Sequence, residues 1–266
     1  LETALYHTLF FPKKTPVSLD ELTEGLEHIA NDLKEDHNGF YLDLVLDLID
    51  KVKLFGYHFA SLDIRQDSRV HEGVFLEVIN HPKVRATIGA LKQHSYQELS
   101  LEQRLELLTR VEGEVDPSLF DANEITAQTL ESISVMREIQ QRNGERGSNR
   151  YIISNCQSLE HLLQLYALIR LCGWSNPSLD IIPLFETVDD LRAAPDIMRA
   201  LYSNASYRAH LESRGMKQTV MLGFSDGTKD GGYFMANWGI YSAKEALSLL
   251  STEFGVSVAF FDGRGG

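Results

Sequence analysis

Five short runs of β-branched, aliphatic and aromatic residues punctuate a chain that otherwise reads as helix: Tyr57 to Ile64, Tyr151 to Ser154, Asp180 to Phe185, Thr219 to Phe224 and Val256 to Phe261. Each is nearly continuous in apolar residues and bounded by polar or glycine turns, the pattern of a buried strand. The last four recur at roughly 30 to 40 residue intervals, the length of one βα unit with short loops. That spacing predicts a parallel sheet.

Helical periodicity fills the gaps. Leu159, Leu162, Leu163, Tyr166 and Ile169 share a face, with Ser158 placed to cap the start and Gly173 the end. Thr187 can cap a helix whose first turn holds Asp189 and Asp190, with Pro195 restarting it, and Tyr233 to Phe254 reads as a long helix closed by Gly255. Residues 67–149 read as a helical insertion between the first two strands, and the N-terminal part through Leu42, Val45, Ile49 and Val52 is helical too. No repeat or linker interrupts the chain, so residues 1–266 are expected to form one domain.

Composition narrows the function. With 25 Lys+Arg against 38 Asp+Glu the chain carries a formal charge of −13, which disfavours a general nucleic-acid or anionic-membrane surface. Two cysteines, Cys156 and Cys172, are too few for a disulfide framework and lack metal-finger spacing, so a reducing cytoplasm is expected. No apolar run approaches the roughly 20 residues of a membrane span, and a signal peptide is not expected. A start at Leu1 without methionine and a stop just after a glycine-rich turn give the expectation of cut ends.

In a parallel sheet, functional groups collect at the carboxyl ends of the strands. Here those ends run into Asp63 and Arg65, into Ser154 and Asn155, into Glu186, into Ser225, Asp226, Lys229 and Asp230, and into Asp262 and Arg264. Glu186 and Asp226 are candidate hard-oxygen ligands for Mg²⁺ or Mn²⁺, which two carboxylates with waters and substrate oxygens commonly hold; the competing reading is a pair of helix caps. Arg65, Lys229 and Arg264 are suited to phosphate and carboxylate groups, or else to pairing with those same acids. Glycines at 223, 227, 231, 232, 263, 265 and 266 allow backbone N–H groups to approach an anion, without the spacing of the ATP-binding lysine loop. Together these point to a phosphorylated, carboxylated small molecule and leave the reaction open. His71 and His210 read as packing or surface groups, Cys156 as a small buried hydrophobe, and Tyr233 and Trp238 as core.

These stretches resemble the phosphoenolpyruvate carboxylase family. The match is carried by Leu62-Asp-Ile-Arg-Gln-Asp-Ser, Tyr151-Ile-Ile-Ser, Ile182-Pro-Leu-Phe-Glu-Thr-Val-Asp-Asp-Leu, Val220-Met-Leu-Gly-Phe-Ser-Asp-Gly-Thr-Lys-Asp-Gly-Gly and Phe261-Asp-Gly-Arg-Gly-Gly, in the family's order from about Gly56 onward. The resemblance implies a partial parallel, TIM-like β/α barrel within a predominantly α-helical, homotetrameric cytoplasmic enzyme. It implies Glu186 and Asp226 as metal ligands, and Arg65, Lys229 and Arg264 as catalytic and substrate-binding contacts. The implied reaction has bicarbonate attack the phosphoryl group of phosphoenolpyruvate; the resulting carboxyphosphate yields CO₂, which the enolate of pyruvate takes up to give oxaloacetate.

Asp262 occupies the catalytic position where the family usually has histidine, so either another group handles carboxyphosphate or Asp262 is kept protonated. Gly223-Phe-Ser-Asp-Gly also departs from the usual Gly-Tyr-Ser-Asp-Ser. Family motifs expected before Leu1 and after Gly266 are absent, so the piece alone is expected to be inactive. Two rivals stand beside this reading: another metal-dependent barrel enzyme acting on phosphoenolpyruvate or a related enolate, and a non-catalytic homologue that binds the ligand.

Overall fold

The computed structural model describes residues 1–11 and 17–263, apart from the side chains of Leu9 and Asp226. Although the chain reads as one domain, its contacts divide it into two compact units: residues 1–61 with 139–147, and residues 62–138 with 148–266.

The first unit holds α1 (Glu2–Phe10), α2 (Leu19–Glu35) and α3 (Leu42–Phe55). A reciprocal cap starts α2: the Ser18 hydroxyl accepts from the Glu21 N–H at 3.1 Å, and the Glu21 carboxylate accepts from the Ser18 N–H at 2.9 Å. The core is small, with Leu22, Leu26 and Ala30 packed against Ile49. Tyr57, expected in the first strand, instead packs on this cluster and donates its hydroxyl to the Val17 carbonyl at 3.0 Å.

The second unit runs β1 (Asp63–Asp67), α4 (Ser68–Asn80), α5 (Pro82–Arg85), α6 (Leu101–Arg110), α7 (Ile125–Asn143, whose last residues belong to the first unit), β2 (Arg150–Ser154), α8 (Leu159–Leu171), β3 (Asp180–Phe185), α9 (Val188–Ser203), α10 (Ala205–Ser213), β4 (Lys217–Gly223), α11 (Ser225–Phe254) and β5 (Ser257–Gly263). The five strands form one parallel sheet in the order β1-β2-β3-β4-β5. The expectation of a parallel α/β sheet in a mostly helical chain holds. Among the described residues the sheet does not close into a barrel, because β1 and β5 each pair with a single neighbour.

The expected caps form: Ser158 accepts from the His161 N–H, Thr187 and Asp190 make a reciprocal box, and Gly255 closes α11 at φ 68°. Pro195 lies inside α9 rather than restarting it. Gly232, at φ 79° and ψ 167°, breaks α11 near its start, so the expected glycine loop is a short helical segment before the long helix. The buried stripe of that helix is Ala236, Ile240, Ala243, Leu247 and Leu250. Trp238 falls off this stripe and Tyr233 stands at the start of the long helix, just after the break; each is 65% exposed, correcting their assignment to the core.

Alternation along the strands gives the sheet two unlike faces. Tyr151, Ile153, Ile181, Phe185, Val220 and Leu222 join the main core with the helices. Ile152, Ile182, Leu184 and Met221 form a separate small cluster on the other face. By register Arg65 lies beside Ile152, which in turn lies beside Ile182, so the three share this second face.

Candidate active site

Arg65 and Glu186 meet on the second face. The Arg65 guanidinium Nη2 lies 2.7 Å from Glu186 Oε1, with Arg65 half exposed and Glu186 largely covered. The other carboxylate oxygen, Oε2, accepts the Asn155 main-chain N–H at 3.0 Å. Three strand ends thus converge on one carboxylate, because parallel neighbours in register bring their carboxyl ends to a common edge.

The backbone of Glu186 is anchored as well. Asp190, buried in the first turn of α9, accepts the Glu186 N–H at 3.3 Å and the Thr187 N–H at 3.0 Å. Asp230 accepts the Val188 N–H at 3.2 Å, so this strand-end acid serves as a cap of α9. Asp67, at the end of β1, caps α4 and takes three hydrogen bonds from Arg69, which hold its carboxyl down at about 2.

Close approach of the β4 end explains two glycines. A Cβ on Gly223 would lie 3.0 Å from Glu186 Cα, and one on Gly227 would lie 3.4 Å from the Glu186 carbonyl oxygen. The backbone on both sides of Asp226 therefore passes against Glu186; the Asp226 side chain itself is outside the described residues. Lys229 is exposed on the first turns of α11. Arg264 lies outside the described residues.

Asp262 is not brought to this group. It registers with Leu222, on the face packed by helices, and pairs with Lys244 of α11 at 2.7 Å. His71 is fully buried against Tyr151, whose hydroxyl is 3.1 Å from Nε2, and burial pushes the imidazole down to about 4. Cys156 is buried and its thiol is pushed up to about 12 by the same cause, which suits a packing group and not a nucleophile.

Among the described residues no group of three or more His, Cys, Asp or Glu side chains is placed to hold a metal, and no helix is long and apolar enough to cross a membrane. What the second face offers is one oriented carboxylate beside a half-exposed guanidinium. That pair can present a hard-oxygen donor and an anion contact to the same small ligand. Sequence reasoning singled out Arg65 and Glu186 but gave no role to Ser68, Asn155 or Lys244. The polar Ser-Asn pair directly after a buried strand was the available signal for Asn155.

Comparison with known proteins agrees with the motif reading. The family model described as Phosphoenolpyruvate carboxylase matches residues 7–266. The chain is 35% identical over 256 residues to a phosphoenolpyruvate carboxylase of Nitrosomonas eutropha, an alignment covering 92% of this chain and 27% of that protein. It is 34% identical over 258 residues to one of Parasynechococcus marenigrum, covering 94% and 25% respectively, and 34% identical over 274 residues to one of Corynebacterium glutamicum, covering 98% and 29%. The chain thus spans about a quarter of the length of the curated relatives it matches. It belongs to the phosphoenolpyruvate carboxylase family.

Proposed function

We propose that this segment supplies the substrate-contacting strand ends of a phosphoenolpyruvate carboxylase, whose full-length form makes oxaloacetate and phosphate from phosphoenolpyruvate and bicarbonate. The observation that carries the reading is the convergence of Arg65, Asn155 and Glu186 on one face of a parallel sheet in a member of this family. The sequential order β1 to β5, all parallel, suits the first five strands of a β/α barrel that further chain would close. The full-length protein is proposed to be a cytoplasmic homotetramer.

Glu186 and Asp226 would hold Mg²⁺ or Mn²⁺. Both are hard-oxygen donors by residue type, and among the described residues no cluster of three or more ligating side chains forms a cage, which supports a cation that keeps waters and substrate oxygens in its shell. When bound, such a cation supplies Lewis-acid polarisation of the substrate's oxygens. Arg65, Lys229 and Arg264 are the proposed contacts to phosphate and carboxylate; the planar arginine forks suit bidentate binding and offset charge as the phosphoryl group moves to bicarbonate. The ion pair of Asp262 with Lys244 favours the reading in which another group handles carboxyphosphate.

Bicarbonate-dependent phosphate release by the full-length protein, with phosphoenolpyruvate and Mn²⁺, tests the proposal. Binding of phosphoenolpyruvate with no phosphate release would instead support a non-catalytic binding role. The 266-residue chain alone is expected to form no oxaloacetate, and measurable formation would overturn that part.

A further inference from the structure

We propose that Ser68 and Asn155 form a positioning device that orients the Glu186 carboxylate for metal ligation, an inference that rests on the metal reading of Glu186 given above. Asn155 sits at φ 52°, in the left-handed region where a side chain is disfavoured and asparagine is among the best tolerated. Something must hold it there. The Ser68 hydroxyl, on a residue with no exposed surface, donates to the Asn155 carbonyl at 2.7 Å, and the Asn155 amide nitrogen lies 3.5 Å from Ser68 Oγ. Ser68 is itself fixed as the first residue of α4, behind the Asp67 cap.

Held in this turn, Asn155 sends its main-chain N–H to Glu186 Oε2 at 3.0 Å. The path runs from the end of β1 through the end of β2 to the residue after β3, so the carboxylate is oriented by the sheet and not by its own rotamer alone. Groups that orient a metal ligand commonly change affinity by about 10- to 100-fold when removed. The main-chain N–H, and not the asparagine side chain, contacts the carboxylate. Glycine at position 155 keeps both the N–H and the left-handed turn, whereas valine, β-branched, opposes the turn.

The test is Mn²⁺ binding to the full-length protein by electron paramagnetic resonance, with thermal melting to verify folding. Asn155→Val should raise the Mn²⁺ Kd by about 10-fold or more, and Asn155→Gly should restore the unsubstituted value. Amide hydrogen exchange at Asn155 should accelerate in Ser68→Ala and in Glu186→Gln. A folded valine variant with unchanged Kd overturns the proposal, as does a glycine variant as weak as valine. If the valine variant does not fold, unchanged exchange of the Asn155 amide in Ser68→Ala overturns it instead. Unchanged Mn²⁺ affinity in both Glu186→Gln and Asp226→Asn, or no uptake by the unsubstituted protein, fells the metal reading and the positioning role with it.

Discussion

The two faces of the sheet are built from the same strands and differ in nearly everything else. One face joins a continuous, largely apolar core of helices and strands that also takes in the buried Gln218 and His71. The other has four buried apolar residues, then Arg65 and Glu186. Stability is therefore concentrated on the first face and ligand chemistry on the second, and substitutions should separate the two.

The largest effect on stability is expected from Phe185→Ala. Phe185 has no exposed surface and adjoins Glu186 in sequence, yet it points into the helix-covered core. Urea denaturation should show a loss of about 3–5 kcal/mol. A loss below about 1 kcal/mol would break the comparison.

Acid should attack the same face next. Burial pushes His71 and His210 each down to about 4, against an ordinary value of 6.5. Below 6.5 the unfolded chain binds protons that the folded chain refuses, so folding stability falls as pH drops from 6.5 to about 4 and is fully present above 6.5. Each histidine contributes on the order of 2–3 kcal/mol over that window. Stability curves at pH 7 and pH 4.5 should differ by less after His71→Gln; an unchanged pH slope would return His71 to a solvated setting.

Gly223→Ala tests where the faces meet the site. The added methyl would lie 3.0 Å from Glu186 Cα and 3.3 Å from the Phe185 carbonyl oxygen, both backbone atoms that yield poorly. A loss of about 1–3 kcal/mol is expected, together with weakened Mn²⁺ binding. Smallest in stability is Arg65→Met. The pair with Glu186 involves a half-exposed guanidinium, so the change should be under about 1 kcal/mol, while phosphoenolpyruvate binding by the full-length protein is lost. A large stability loss here would make Arg65 a structural residue.

Legibility in the sequence followed the same division. β3 forms over Asp180–Phe185 and Thr187 caps α9 where local signals place them, because both depend on neighbours within a few residues. β1 was misplaced: its sequence, Asp-Ile-Arg-Gln-Asp, is polar at an open edge, while the more apolar Tyr57 serves the N-terminal helices. Trp238 was misread since aromatic content alone does not say which side of a helix is buried. At the site, strand-end reasoning brought Arg65 and Glu186 together across 121 residues. It did not reveal the Ser68 to Asn155 contact, which depends on one left-handed residue. Nor did it place Asp262, whose face is set by the β4–β5 register.

The insertion between β1 and β2 also shapes the order of assembly. Strands β2 to β5 are joined by single crossovers, whereas β1 reaches β2 only after residues 68–149. Closing the longer loop costs more chain entropy and yields one edge pairing in return. β1 is expected to dock last, so in pulse-labelled refolding its amides should gain protection after those of β3 and β4. Arg65 would then reach Glu186 as one of the final events, making the second face the youngest surface of the folded chain.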